Sequence, residues 1–293
     1  MTLDLETPVK SVVDSAVAKC GDIATLPEVT AKIIKLVDDP KSTARDMHEV
    51  IKTDPALSTR VLKVVNSAFY GLPGQISSID RAIVLLGLSA VKNIAIAASI
   101  ARMFKGQQIG GGFTAKDLWR HSVAVGVCGR LIARHIRYNG PEDEVFLSGL
   151  IHDVGVMVLR QSSPEKLTEV IERWLSGCGS YLTLETEIVG ADHQALGNGL
   201  TSKWKFPRNL RAVVGLHHHP ERISEEMRPL ANIIRVADII CCSQKIGFHL
   251  TAAGEEPSAE LLASIKLAPD DVPTITESLV GEVESAEAML SSD

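Results

Sequence analysis

Residues 51–96 decide the fold, and they read IKTDPALSTRVLKVVNSAFYGLPGQISSIDRAIVLLGLSAVKNIAI. Asp54 followed by Pro55 is typical of a helix start, because Asp caps free N–H groups and Pro suits the first helical position. Apolar residues then recur every three or four positions until the turn-forming letters YGLPG. A second apolar segment covers residues 77–104, and Gly87 divides it. This stretch therefore predicts three consecutive helices.

Helical spacing continues on both sides of this stretch. Residues 26–37 are amphipathic, so we expect residues 20–105 to form one helical bundle after a leader helix at 1–19. The glycine-rich stretch 106–112 has few apolar side chains and is predicted to be a linker. A second helical subdomain is expected over 113–250, followed by an acidic tail at 251–293. The helices expected in that subdomain cover residues 114–137, 142–160, 164–176, 181–203, 207–219 and 228–243.

Composition indicates an all-α fold built as a two-part helical bundle. Hydrophobic residues make up 45% of the 293 residues and aromatic residues only 4%. Ala, Leu, Ile and Val are plentiful, which favours helix-on-helix packing over a β-sandwich. A chain of this length is long enough to bury a substantial core.

Charge and cysteine usage limit the classes of function. The net charge is −6, but the tail alone has ten acidic residues and one basic residue, which leaves the body at about +3. Lys and Arg are scattered rather than gathered in a stripe, so we do not expect nucleic-acid binding. The five cysteines show no CxxC spacing, which is typical of reduced thiols in a cytoplasmic protein. No apolar run approaches the ~18 residues of a membrane-spanning helix.

Several histidines and aspartates fall on apolar helix faces of the second subdomain. A single histidine on such a face is usually a satisfied core residue. Burying an isolated carboxylate costs several kcal/mol unless it is paired or bound to metal, and no Arg or Lys is evident on the same faces. A shared cation would explain the whole set. The residues are His121, His152, Asp153, His193, His217, His218 and Asp238.

The ligand chemistry favours a transition metal. Four to seven mixed nitrogen and oxygen ligands suit one or two ions of iron, manganese, zinc or nickel better than magnesium or calcium. His219 is expected to face solvent, because Pro220 ends the helix at that point. Asp117 lies one turn before His121, but an acid in a first helical turn is ordinary and is left out of the set.

These stretches resemble a known family. LPEVTAKIIKLVDDP and residues 51–96 closely resemble the first half of HDOD domains, which are helical signalling relatives of the HD and HD-GYP metal-dependent phosphohydrolases. LWRHS, FLSGLIHDVG, ADHQALG, KWKFP and LHHHP resemble the second half, so the likeness covers roughly residues 20–245. The resemblance implies that His121, His152, Asp153 and Asp238 match the H…HD…D ligands. It also implies that His193, His217 and His218 match those of a second metal.

Two departures from the HD-GYP pattern bear on activity. Val156 stands where that pattern has a lysine, and Pro220-Glu221-Arg222 stands in place of the GYP motif. We therefore expect a bacterial regulatory module that recognises a partner protein or a nucleotide, with little or no phosphodiesterase activity. The alternative is a metal-dependent phosphohydrolase acting on a nucleotide or phosphodiester. Four basic residues could then contact phosphate, although a solvated helix start would also explain them: Lys203, Lys205, Arg208 and Arg211.

Overall fold

The computed structural model describes residues 7–39, 41–67, 70–104 and 108–290, and most of these residues are helical. This confirms the all-α expectation and the two-part helical bundle. The helices of the first part are α1 (Thr7–Lys19), α2 (Gly21–Ala24), α3 (Glu28–Asp38), α4 (Ala44–Ile51), α5 (Pro55–Val65), α6 (Ile79–Leu86) and α7 (Leu88–Ile100). Those of the second part are α8 (Ala115–His135), α9 (Glu142–Ile151), α10 (Val154–Ser162), α11 (Pro164–Leu175), α12 (Tyr181–Val189), α13 (His193–Lys203), α14 (Arg208–Leu216), α15 (Arg228–Ser243), α16 (Ala259–Ser264) and α17 (Val272–Leu290).

Local chemistry sets the helix boundaries of the first bundle. The Asp54 carboxylate accepts the backbone N–H of Leu57 at 2.9 Å and starts α5. Ser78 caps α6 in the same way, and Gly87, with φ of +87°, separates α6 from α7. Helix α7 is buried along most of its length and packs against α3, α5 and α9. The apolar core therefore continues from the first bundle into the second.

Helix α8 is the centre of the second bundle and packs against α9, α15 and α17. Thr114 and Asp117 form a capping box at its start, so Asp117 has an ordinary role in the helix end. Two predicted helices, 142–160 and 181–203, are each divided in the structure, and the expectation of continuous helices there was wrong. The first breaks between Ile151 and Val154, and the second breaks at residues 190–192, where Gly190 has φ of +89°.

The glycine-rich stretch contains a small hairpin. Strand β1 (Gln108–Gly110) pairs antiparallel with β2 (Phe113–Thr114), and β1 packs against α11. Gly111 has φ of +58°, and a Cβ there would lie 2.4 Å from Cγ2 of Ile171. Its described part, residues 108–112, is therefore packed rather than an extended linker, while residues 106 and 107 lie outside the described residues.

The described residues of the acidic segment, 251–290, are largely helical. Helix α17 packs on α8 through Ile275, Leu279, Val283 and Ala286, which are buried. These residues recur every three or four positions, and the acids lie between them. Glu277 and Glu284 of this helix are exposed, whereas Glu287 pairs with Arg120 of α8. Within the described ranges, no helix is long and apolar enough to cross a membrane.

Candidate metal centre

The seven predicted side chains meet in one buried cluster within the second bundle. His121 comes from the middle of α8, and Asp238 comes from α15. His152 and Asp153 occupy the break between α9 and α10, and His193 begins α13. His217 and His218 directly follow α14. His218 is 8% exposed and the other six are fully buried, whereas His219 faces solvent as expected.

The Asp153 carboxylate lies between two sets of imidazoles. Its Oδ2 is 3.4 Å from Nε2 of His152 and 3.8 Å from Nε2 of His121. Its Oδ1 is 3.3 Å from Nε2 of both His193 and His217. One carboxylate therefore faces two neighbouring groups of nitrogen atoms.

Asp238 supplies the second carboxylate to the first of these groups. Its Oδ1 lies 3.2 Å from Nε2 of His121 and 3.8 Å from Nε2 of His152. Four overlapping groups have ligand atoms within 4.8 Å of one another: His121 and His152 with Asp153; His193, His217 and His218 with Asp153; His152 and His217 with Asp238; and His121 with Asp238 and Cys242. The arrangement has room for one ion or for two ions that share Asp153.

Four imidazoles are fixed from outside the cluster. In each ring Nδ1 faces an oxygen that can only accept, so Nδ1 carries hydrogen and Nε2 points at the carboxylates. Outer hydrogen bonds of this kind orient histidine ligands in metalloproteins. The pairs are His121 with Ile246 O at 3.3 Å, His152 with Gly149 O at 2.7 Å, His217 with Val214 O at 3.2 Å, and His193 with Glu185 Oε2 at 2.7 Å.

Buried polar atoms at the centre fit a cation. Nε2 of His152 and Oδ1 of Asp153 have no hydrogen-bond partner among the described residues. Nε2 of His193 lies 3.4 Å from Nε2 of His217 and 3.1 Å from Nε2 of His218, so three ring nitrogens crowd together at the centre. Unpaired buried polar groups are costly. A divalent transition metal would satisfy these atoms with nitrogen and oxygen ligands.

The ionisation of the cluster leads to the same conclusion. Burial alone would lower the pKa of His152, but the carboxylates of Asp153 and Asp238 raise it to about 10. Burial likewise opposes charge on His193, yet nearby carboxylates raise its pKa to about 9. Burial lowers the pKa of His217 to about 4. A proton or a metal ion must therefore sit between the imidazoles and the carboxylates.

Arg235 is a neighbour of the cluster that the sequence analysis missed, and the expectation of no Arg on these faces was wrong. Its Nη1 is 3.3 Å from Oδ2 of Asp238, which follows it by three residues on α15. Residues three apart on a helix lie on the same face, so this pair could have been recognised from the sequence. The same Nη1 is 2.8 Å from Nδ1 of His218. Because a guanidinium only donates, this Nδ1 accepts, and the neutral His218 ring carries its hydrogen on Nε2. While Arg235 holds it, His218 is not in the form that binds metal through Nε2.

Two further residues contact the cluster. Glu185 is fully buried, and besides Nδ1 of His193 its Oε2 accepts the backbone N–H of that residue at 2.9 Å. It follows Tyr181 by one turn on the inward face of α12, and an acid on an apolar face was the available signal. Thr251 donates its hydroxyl to Oδ2 of Asp153 at 3.2 Å, and no local pattern marks it.

The basic residues considered for phosphate contact lie elsewhere. Lys203 ends α13, which His193 begins, so about 15 Å of helix separates them at 1.5 Å per residue. Arg208 begins α14, which ends just before His217, and Lys205 and Arg211 lie near that same end. The structure does not bring these four residues to the cluster. Val156 is fully buried and supplies no charge.

The chain belongs to the HDOD domain family, because a family model for the HDOD domain matches residues 23–220. An HDOD domain protein of unknown function from Geobacter sulfurreducens has a TM-score of 0.77 at 21% identity, covering 96% of this chain and 99% of that one. A Shewanella amazonensis SB2B protein, whose name assigns it provisionally to the phosphohydrolases, gives 0.72 at 23% identity, covering 94% and 98%. A Marinobacter aquaeolei VT8 protein, named provisionally for signal transduction, gives 0.75 at 21% identity, covering 98% and 66%. At these identities the likeness shows the fold.

A relative from Treponema pallidum (strain Nichols) is an uncharacterized protein that is 23% identical over 237 residues. The match covers 81% of this chain and 45% of the relative, so the chain spans less than half the length of the curated relative that it matches.

Proposed function

We propose that this HDOD protein is a bacterial regulatory module with a binding site for one or two divalent transition-metal ions, iron, manganese, nickel or zinc. One observation carries the proposal: four imidazoles are fixed through Nδ1–H and turn Nε2 toward two shared carboxylates. That is the arrangement expected of histidine ligands with their outer partners. The ligands proposed are His121, His152, Asp153, His193, His217 and Asp238, and His218 joins them when Arg235 releases its Nδ1.

The protein residues define what the centre does. A bound ion would supply Lewis acidity and lower the pKa of coordinated water. Asp153 holds the two groups of imidazoles together, Glu185 fixes the ring of His193, and Thr251 orients one oxygen of Asp153. The module would recognise a partner protein or a nucleotide, and the state of the centre would bias that recognition.

We expect the module to hydrolyse cyclic dinucleotides slowly or not at all. A phosphodiester needs its phosphate held in line and its developing charge met by a positioned cation. Val156 is buried and uncharged, and Arg235 is held by Asp238 and His218. Loss of one preorganised donor commonly lowers a rate by about 10²–10³. Hydrolysis should therefore be slower by about this factor than in a relative that has the lysine.

A metal-dependent phosphohydrolase is the second candidate. A solvent-accessible pocket of about 450 Å³ borders His218 and Thr251, so a small substrate could approach the centre. The name of the Shewanella amazonensis protein points to the same class. Assays with manganese, iron and nickel on a cyclic dinucleotide, a nucleoside monophosphate and an aryl phosphodiester separate the two candidates. Rapid turnover that His152→Ala abolishes would make the enzyme the better description.

The metal site is tested by the double variant His152→Ala, Asp153→Ala. It removes both the central carboxylate and a fixed imidazole, so bound metal should be lost. The melting temperature should fall as well, because a ligand present at about 100 times its dissociation constant stabilises a protein by about 2.7 kcal/mol. His219→Ala is the matched control, since this histidine is next to the cluster in sequence and faces solvent. Equal metal content in the double variant and the control would contradict the proposal.

A further inference from the structure

A pocket beside the cluster is lined by aromatic and charged side chains. It has a volume of about 450 Å³, which falls in the range of small-molecule sites. It lies where the start of α12, the turn after α14, the helix α15 and the segment before α16 meet. Its lining includes Trp174, Tyr181, His218, Arg235 and Glu255.

Arg235 has a nearly buried guanidinium whose pocket side is paired with a surface acid. The side chain is 9% exposed, and its Nη1 contacts His218 and Asp238. Its Nη2 pairs with Oε2 of Glu255, whose side chain is 43% exposed. Exposed carboxylates hold their partners weakly, whereas a buried guanidinium always needs an anion. A ligand that entered the pocket could therefore replace Glu255.

Helix α12 contributes its start and a buried tyrosine to the lining of the pocket. Tyr181 lines the pocket, its side chain is buried, and its hydroxyl has no hydrogen-bond partner within the described ranges. Helix α12 has nine residues and begins at Tyr181, so the positive end of its dipole is at the pocket. Ser180 and Thr183 of its first turn also line the pocket. A helix start, an unpartnered hydroxyl and a guanidinium together favour an anion.

The local acids oppose a simple anion site. Asp153 and Asp238 lie behind the lining residues, and Glu255 stands at the mouth. An anion gains most here when it carries several acceptor oxygens, because it can then use the guanidinium fork, the tyrosine hydroxyl and the helix end together. A tetrahedral phosphate group meets this condition better than a single planar carboxylate.

We propose that the pocket binds the phosphate group of a small molecule through Arg235 and Tyr181, and that Glu255 competes for Arg235 and closes the site until such a ligand arrives. The inference deepens the proposed function, on which it rests for the metal ions that offset the acids behind the pocket. The competition between phosphate and Glu255 itself involves only residues of the chain. It is therefore measurable in protein with and without metal.

The test titrates the full chain with inorganic phosphate by calorimetry, before and after treatment with a chelator. Glu255→Gln removes the competing charge and keeps the size of the side chain, so it should tighten phosphate binding about two- to fivefold, the scale of an exposed ion pair. Glu256→Gln is the matched control, because Glu256 is the next residue along the chain, is exposed and does not line the pocket. Tyr181→Phe should weaken binding about fivefold through one lost hydrogen bond.

Each outcome bears on one proposal. Equal affinity for phosphate in Glu255→Gln and Glu256→Gln, or acetate binding as tightly as phosphate, would overturn the inference. Tighter phosphate binding by Glu255→Gln, in protein that elemental analysis finds free of metal as purified and before any chelator, would support the inference while contradicting the metal site. A metal-loaded protein in which Glu255→Gln changes nothing would leave the proposed function standing and remove the inference.

Discussion

The closest approach of two helices at the cluster gives a sharp prediction for Gly155→Ala. Gly155 lies in the first turn of α10, where that helix packs on α13. A Cβ at this position would lie 1.8 Å from the backbone oxygen of His193 and 2.7 Å from the backbone nitrogen of Gly197. Backbone atoms cannot rotate away as a flexible side chain would. The two helices must therefore separate, and Asp153, two residues earlier, must move away from His193.

The expected cost follows from this overlap. Overpacking a close-packed core costs about 1–3 kcal/mol, and the value should be near the top of that range because the obstacle is backbone. At about 2–4 °C per kcal/mol, the melting temperature should fall by about 5–10 °C. Metal content should fall as well, since the distance of 3.3 Å between Asp153 Oδ1 and His193 Nε2 would lengthen.

Gly281→Ala is the matched control. Gly281 is an exposed residue within α17, and a Cβ there would meet nothing within 4 Å. Alanine should raise the stability by up to about 1 kcal/mol, because it is the better helix former. Both variants are measured by thermal unfolding and by metal content. If Gly155→Ala melts like the wild type and keeps its metal, the packing of α10 against α13 described above is wrong.

Three other outcomes are expected. Metal binding at pH 7 should release about two protons, because His152 and His193 have pKa values raised to about 10 and about 9 and must lose a proton to coordinate. The affinity should therefore rise with pH up to about 10, and calorimetry in buffers of different ionisation enthalpy measures the protons released. Glu185→Gln should weaken metal binding about 10–100-fold, because Glu185 is buried and orients the ring of His193. Glu187→Gln is the control, since Glu187 lies on the exposed face of the same helix. An unchanged affinity in Glu185→Gln would contradict the positioning role of Glu185. Leu279→Ala should lower the free energy of unfolding by about 2–5 kcal/mol in denaturant titrations, because this residue is fully buried in the acidic segment.

Local sequence signals predicted much of the fold. Asp54 with Pro55, Ser78 and Gly87 set helix ends through capping bonds and a positive φ, which involve only neighbouring residues. The helix breaks at the cluster were harder to predict. The break at His152 and Asp153 contains no Gly or Pro, and the cluster itself fixes the position of these side chains.

The sequence predicted the histidines and aspartates that face the cluster, but it did not predict the residues that hold them from outside. His121 and Asp238 stand out because they interrupt apolar faces, and the structure brings them to within 3.2 Å. Glu185, Arg235 and Thr251 act through contacts between helices or with loops, and such contacts leave no periodic trace. Arg235 was visible only as an i, i+3 neighbour of Asp238, a spacing that also occurs on ordinary solvated helix faces.

The acidic segment shows how composition can hide a packed helix. Residues between Ile275 and Ala286 combine an apolar stripe with several acids, and the sequence analysis described the segment only as an acidic tail. The apolar stripe is narrow, and in the structure it packs against the long helix α8. The sequence alone does not predict which helices pack against α8. Tertiary packing therefore decided the structure of this segment.

Elemental analysis of the full chain, purified without a metal-chelating tag, tests the central claim most directly. The cluster of four fixed imidazoles and two carboxylates predicts about one or two transition-metal ions per chain, which should be absent from the His152→Ala, Asp153→Ala variant. A wild-type protein that carries no more metal than this variant, even after dialysis against manganese, iron, nickel and zinc, would contradict the claim.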